Sequence, residues 1–265
     1  MSNAWDDPRI RRGMTEQLAK RRARIAGGEA PLGWKVGFGA PAAMKKLRIG
    51  APLVGFLMQR ALVASGGTVS LAGWVKPVAE PEIAVHVGRD LAGGGDRAAA
   101  AAAIAALGPA IELADADLPF EDPEAILKGN IFQRHVILGE RDASRAGGGT
   151  AGLTARVFRR DTQVAQTSDP EAATGKIVDI VRHVADLLAA FGEQLSAGDV
   201  VIAGSVVPPL LVEPDETGVA HALDPIGRVS VRSRADGVRW CGSMDRVESR
   251  AGRGPDKKGE VHQCD

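Results

Sequence analysis

Lys76-Pro-Val-Ala-Glu-Pro-Glu-Ile-Ala-Val-His-Val-Gly88 is the stretch on which the fold turns. Ile83, Val85 and Val87 alternate with Glu82, Ala84 and His86, and successive side chains of a strand point to opposite faces. The segment is therefore expected as a β-strand with one wholly apolar face. Glu80 and Glu82 share the other face, about 7 Å apart along the backbone. Two carboxylates at that range repel by roughly 2 kcal/mol at an effective dielectric of about 20. Glu112 has a similar frame, Pro109-Ala-Ile-Glu-Leu-Ala114, which predicts a further acid on a strand. Burying a carboxylate without a partner is costly, so these acids need a reason. Either each pairs separately with one of the many Arg or Lys side chains, or they converge on a hard cation that keeps positions open for substrate and water. Spacing leaves both open, because distance along the chain does not show that Glu82 and Glu112 meet. His86, on the face of Glu82, reads as a support for that acid or as a structural histidine.

Outward from this strand, the rest of the chain resolves into short elements. Ile10, Met14, Leu18 and Ile25 fall at helical spacing among arginines and lysines, so an amphipathic helix is expected over about 6–26, ending at Gly27-Gly28. Its basic side reads as a solvated face rather than an anion site. From Gly33 to Arg89 the pattern is one of extended runs broken by Gly and Pro. Asp96 is expected to cap an alanine-rich helix through Leu107, stopped by Gly108. A strand from Ala110 to Leu113, a short helix from Asp122 to Lys128, a strand Val136 to Leu138 and a hairpin joining Val157-Phe158 to Val164-Ala165 follow. Asp169-Pro170 supplies a cap and a first-turn proline for a long helix to Phe191. Val200 to Ala203 is a strongly apolar strand, and extended runs near His221 and from Arg228 to Arg232 come last. These patterns predict a single strand-rich α+β domain over residues 1–248, with a polar, non-periodic tail over 249–265.

Composition narrows the function. The 265 residues carry 33 basic and 33 acidic side chains, with 4% aromatics and no Tyr. Neither nucleic acid nor an anionic membrane is expected as a partner from such a balance. Two cysteines, Cys241 and Cys264, make neither a disulfide framework nor a thiolate zinc site. The first residues are acidic and basic rather than apolar, and no run reaches transmembrane length, so a cytoplasmic setting is expected. Gly37-Phe-Gly39 lacks the third glycine of a dinucleotide loop, and Asp115-Ala-Asp117 lacks the glycine and closing glutamate of a calcium loop. His135, His183 and His221 have no Ser or Cys at a triad spacing.

Four segments occur in one order: Gly33-Trp-Lys-Val-Gly37, the Glu-Pro-Glu-Ile-Ala strand running on to Gly88-Arg-Asp-Leu91, Ala-Ile-Glu-Leu-Ala-Asp115, and Gly198-Asp-Val-Val-Ile-Ala-Gly-Ser205. Together, over about residues 10–233, they resemble the 2-keto-4-pentenoate hydratase family of the fumarylacetoacetate hydrolase superfamily. The resemblance implies a rolled, mixed β-sheet with flanking helices, a Mg²⁺ or Mn²⁺ site on Glu80, Glu82 and Glu112, and assembly as a homo-oligomer. It makes Lys35 an active-site lysine that holds a substrate carboxylate or moves a proton, where the residues alone allow a surface lysine. It also makes Ser205 and Asn130 substrate-binding candidates, although Ser205 reads equally as a turn serine.

The chain departs from the family at two places. Leu53 and Gly129 stand where many hydratases carry acidic residues, which weakens hydration more than metal-assisted chemistry. The expected activity is water addition to a small 2-hydroxy-2,4-dienoate through a 2-oxo-3-enoate. The alternatives are decarboxylation of a 2-oxo-3-hexenedioate and a non-catalytic partner subunit.

Overall fold

The computed structural model describes residues 3–213 and 218–234. The expected tail over 249–265 and both cysteines lie outside those residues. In chain order the helices are α1 (Pro8–Ala26), α2 (Pro41–Leu47), α3 (Arg97–Ala103), α4 (Pro123–Lys128) and α5 (Ile177–Ala190). The strands are β1 (Pro31–Gly37), β2 (Leu53–Met58), β3 (Leu62–Val63), β4 (Thr68–Ser70), β5 (Pro77–Val87), β6 (Ile104–Asp115), β7 (Gln133–Leu138), β8 (Thr154–Arg159), β9 (Thr162–Thr167), β10 (Val200–Ser205), β11 (Leu210–Leu211), β12 (Val219–Asp224) and β13 (Gly227–Arg234).

The strands form two sheets. The larger runs β2-β1-β10-β5-β6-β7-β3, with β11 added beside β5, and the smaller runs β4-β13-β12-β8-β9. Pairing is mixed, parallel between β1 and β10 and antiparallel between β10, β5 and β6. The large sheet is rolled. Leu57 of β2 and Val136 of β7 share one buried cluster with Ala84, Ala110 and Ile202. In a flat sheet those two strands would lie about 24 Å apart, at the usual 4.8 Å between neighbours.

The roll divides the apolar residues into three groups. Its interior holds the small cluster just named. Outside, Trp34, Val36, Ile83, Val85 and Val201 pack with Met14 and Leu18 of α1 and with Val181, Val184 and Leu188 of α5. Further along, Ala79, Ile111, Leu113 and Ile137 meet Val219, Val229 and Val231 of the second sheet. Both faces of β5 are thus covered, which explains why its burial is nearly continuous.

Most expected elements are present, with three differences. The alanine-rich helix stops at Ala103, and Ile104 already pairs with Val87, starting a strand whose register runs to Asp115 opposite Pro77. Alanine's helix propensity is worth only tenths of a kilocalorie per residue, less than a ladder of that length provides. Gly108 is accordingly not a helix stop but lies mid-strand, where a Cβ would stand 2.6 Å from the Glu140 carbonyl oxygen. The long helix begins at Ile177 rather than at Pro170, because Glu171 turns back and accepts the Ile177 N–H at 2.8 Å. Helix α2, inside the segment expected to be extended, is the third difference.

The basic side of α1 carries ion pairs, Arg12 with Glu124 and Arg22 with Glu193, consistent with a solvated face. Among the described residues no helix is long and apolar enough to cross a membrane.

Candidate metal centre and active-site cavity

Antiparallel pairing of β5 with β6 sets Glu80 directly opposite Glu112. The two-residue period brings Glu82 to the same, inward face. The carboxylates therefore converge, with one oxygen of each lying within 4.8 Å of the others. Glu82 and Glu112 are fully buried, and Glu80 is half-buried. Gly204 N–H donates to Glu82 Oε2 at 2.7 Å. Lys35 Nζ bonds to Glu112 Oε1 and donates to the Ile131 carbonyl at 2.9 Å. Glu82 Oε1 and Glu112 Oε2 are buried and have no hydrogen-bond partner.

Burial is the first cause of the unusual acidity here. It pushes Glu80 above the ordinary value, against the pull of Lys35, and pushes Glu82 well above it, with the charges of Glu112 and Glu80 adding. Glu112 is raised to about 7. Buried polar atoms are nearly always satisfied, so two carboxylate oxygens with no partner among the described residues are atoms that a positive ion could satisfy. Three acids less one lysine leave two negative charges, which one divalent cation neutralises. All-oxygen donors are those of a hard ion such as Mg²⁺ or Mn²⁺, and the residues present fit it.

Lys35 is held by more than Glu112. It stands across from Gly55 of β2, where a Cβ would meet Lys35 Cγ at 3.0 Å and Asn130 Oδ1 at 2.9 Å. Asn130 is not on the cavity wall. Its amide bonds the Phe56 backbone twice, accepting from N at 2.8 Å and donating to O at 2.9 Å, much as a neighbouring strand would. Asn130, Ile131 and Phe132 all have left-handed φ, of 56°, 51° and 63°. Asn tolerates that conformation, but a β-branched residue does not. The doubly bonded amide pins the strained turn, and the turn aims the Ile131 carbonyl at Lys35. Asn130→Ala is expected to lower stability by about 2–3 kcal/mol, the cost of two unsatisfied backbone groups. Denaturant midpoints measure this, and a loss below about 0.5 kcal/mol would show that the turn stands without it.

The other sequence-derived candidates divide. Ser205, at the end of β10, lines the same cavity as Lys35 and Glu80, and its hydroxyl donates to the Val207 carbonyl at 2.7 Å. His86 shares the parity of Glu82 but lies about 13 Å further along the strand, and burial depresses its basicity. Leu53 is 1% exposed and packs with Met14, Leu127 and Leu187 in the outer core. An acid at that position, as the family resemblance implies, would be buried among apolar side chains. Leu53→Asp is thus expected to destabilise the fold by about 3–5 kcal/mol without accelerating any reaction. A stable variant with faster hydration would instead place residue 53 at the site.

A cavity of about 870 Å³ opens from Glu80 and Lys35. Its walls include Phe38, Phe120 and Phe132, which contact one another with centroids 5.4–6.4 Å apart, and Lys76, whose ammonium lies 5.2 Å from the Phe120 ring centre. Sequence reasoning passed over all four. Phe38 and Phe120 fall in irregular segments with no periodicity to give their direction.

Comparison with known proteins agrees with this architecture. A 4-oxalocrotonate decarboxylase from a Pseudomonas species is 29% identical over 199 residues, covering 72% of this chain and 74% of that one. A 2-keto-4-pentenoate hydratase from Burkholderia vietnamiensis is 30% identical over 218 residues, covering 78% and 79%. The solved structure of 4-oxalocrotonate decarboxylase from Pseudomonas putida G7, complexed with magnesium and adipate, superposes with a TM-score of 0.75 at 26% identity, over 82% of this chain and 83% of that one. The family described as fumarylacetoacetate (FAA) hydrolase C-terminal matches residues 35–251. With the rolled sheet and the order of its motifs in agreement, the chain belongs to the fumarylacetoacetate hydrolase family.

Proposed function

We propose that the protein is a hydro-lyase that adds water to a 2-hydroxy-2,4-dienoate, with Mg²⁺ or Mn²⁺ held by Glu80, Glu82 and Glu112. The observation that carries this reading is the convergence of three acids, two with orphan oxygens, beside a buried lysine on the wall of a largely apolar cavity. Relatives named as hydratases cover most of the chain, among them the Burkholderia vietnamiensis protein described above.

When bound, the ion supplies Lewis-acid polarisation of the substrate's oxygens. The chain's residues do the rest. Lys35 brings a buried ammonium to this end of the cavity, where it would hold the substrate carboxylate and carry a proton. The first stage takes a proton from the 2-hydroxyl and delivers one to C5, leaving a 2-oxo-3-enoate. Water then adds at C4 and a proton at C3, so the product is a 4-hydroxy-2-oxo acid. Ser205 offers a hydroxyl oxygen beside the acids for orienting the substrate or the water. The largely apolar walls lower the local dielectric, which strengthens each charge interaction beside them. With Leu53 in the core, no acid at that position shares the proton transfers.

Absorbance of 2-hydroxypenta-2,4-dienoate, followed with Mg²⁺, Mn²⁺ or a chelator, tests the reading. Ion-dependent loss of the diene with formation of 4-hydroxy-2-oxopentanoate is expected. CO₂ release from 2-oxo-3-hexenedioate without hydration would make the protein a decarboxylase, and inertness toward both would leave a partner subunit. The reading also includes a homo-oligomer. Val75 and Leu211 are 54% and 52% exposed, apolar surface that a second copy would cover, and light scattering measures the assembly.

A further inference from the structure

The cavity is far larger than a five-carbon acid needs. At about 870 Å³ it falls in the range of about 300–1,000 Å³ typical of sites that enclose drug-sized ligands. Its polar side chains are few: Lys35, Glu80 and Ser205 by the acids, Lys76 against Phe120, and Thr174. Elsewhere the wall is made of small residues, including Ala42, Ala43 and Ala173, which leave the space open, and of the three phenylalanines. Phe132 follows directly on Ile131, whose carbonyl holds Lys35, and Phe38 follows Gly37 at the end of the lysine's strand. The aromatic patch is thus continuous with the carboxylate end and begins where the far carbons of a bound dienoate would emerge.

We infer that this patch is a distal subsite, and that the protein takes 2-hydroxy-2,4-dienoates whose far end carries a bulky apolar group, aromatic above all. The inference rests on the function proposed above and deepens it. Offset and edge-to-face contacts between aromatic rings add to simple area burial, and the Phe38–Phe120 and Phe120–Phe132 pairs already stand edge to face. A substrate ring would join an existing arrangement. A second carboxylate is the competing choice, with Lys76 as its partner. Lys76 is exposed, and ion pairs made in solvent contribute little, whereas each methylene buried on an apolar wall tightens binding about 4-fold. The same wall would strip water from a charged end without replacing it.

Calorimetry with Mn²⁺ present and three stable 2-oxo acids tests this: 2-oxobutanoate, 2-oxo-4-phenylbutanoate and 2-oxohexanedioate. The phenyl acid is expected to bind at least about 30-fold more tightly than the short one, the equivalent of two to three buried methylenes, and more tightly than the diacid. Phe120→Ala should bring the ratio of the two monoacid dissociation constants toward one. Ala173→Leu, which fills the cavity from another wall, should do the same and serves if the first variant fails to fold. Equal binding of the short and phenyl acids, preference for the diacid, or a ratio unchanged in the variants overturns the subsite while the short acid still binds with Mn²⁺. If no 2-oxo acid binds with the ion, the proposed function falls and the subsite with it.

Discussion

Replacing Glu82 by Gln is expected to weaken Mg²⁺ and Mn²⁺ binding more than 100-fold and, in the same protein, to raise the thermal midpoint of the metal-free form above pH 7. Opposite signs follow from one cause. Glu82 is fully buried, with one oxygen on the Gly204 N–H and the other unpartnered beside two more acids. Removing one partner of a buried ionic contact costs about 3–5 kcal/mol, and each 1.4 kcal/mol is about tenfold in a dissociation constant. Without the ion the balance reverses. Burial first, then the charges of Glu112 and Glu80, lifts Glu82 well above its usual 4.5, and Glu112 rises to about 7.

Acids whose folded values lie above their unfolded ones bind more protons when folded. Their contribution to stability is therefore present below about 4.5 and is lost as the pH rises through the folded values. The metal-free wild type should accordingly lose stability from pH 5 to 8. Gln keeps the shape and can still accept from Gly204, yet carries no charge, so part of that loss should vanish. Calorimetric titration and thermal scans at pH 5 and 8, with and without the ion, read both effects. Unchanged ion affinity would remove Glu82 from the ligand set. A midpoint that falls at pH 8 would show that its charge is already neutralised within the fold.

Lys35→Met should reduce kcat/KM by about 10²–10⁴, the usual size of general acid–base assistance, while leaving ion affinity equal or tighter. Lys35 is 1% exposed and stands on Glu112 Oε1, so its ammonium competes with a divalent ion for that carboxylate. Met matches the length and apolar stem without the charge. The metal-free variant should also be less stable, because a buried carboxylate loses its partner, and saturating Mn²⁺ should restore most of that loss. Activity kept within a few-fold would assign the proton transfers elsewhere. Weaker Mn²⁺ binding would mean that Lys35 arranges the acids rather than competing for them.

Sequence by itself determined whatever depends on local periodicity. The alternation around Ile83, Val85 and Val87 places Glu80 and Glu82 on a common strand face, and the structure has that strand from Pro77 to Val87. Helical spacing from Ile10 to Leu18 and the turn between Phe158 and Val164 were equally legible, because neighbours in sequence are neighbours in space there. The ordered motifs carried the family and the rolled sheet. Tertiary structure alone decided what depends on pairing between distant segments. It set Glu112 opposite Glu80, ended the alanine-rich helix at Ala103 in favour of a strand, and turned Asn130 toward the backbone of Phe56. It put Leu53 into the outer core and gathered Phe38, Phe120 and Phe132 around one cavity. A period says which residues share a face, but only the closing of the sheet decides which face becomes the inside. That choice is made by the sum of many weak, long-range contacts, none of which is written in any single stretch of the chain.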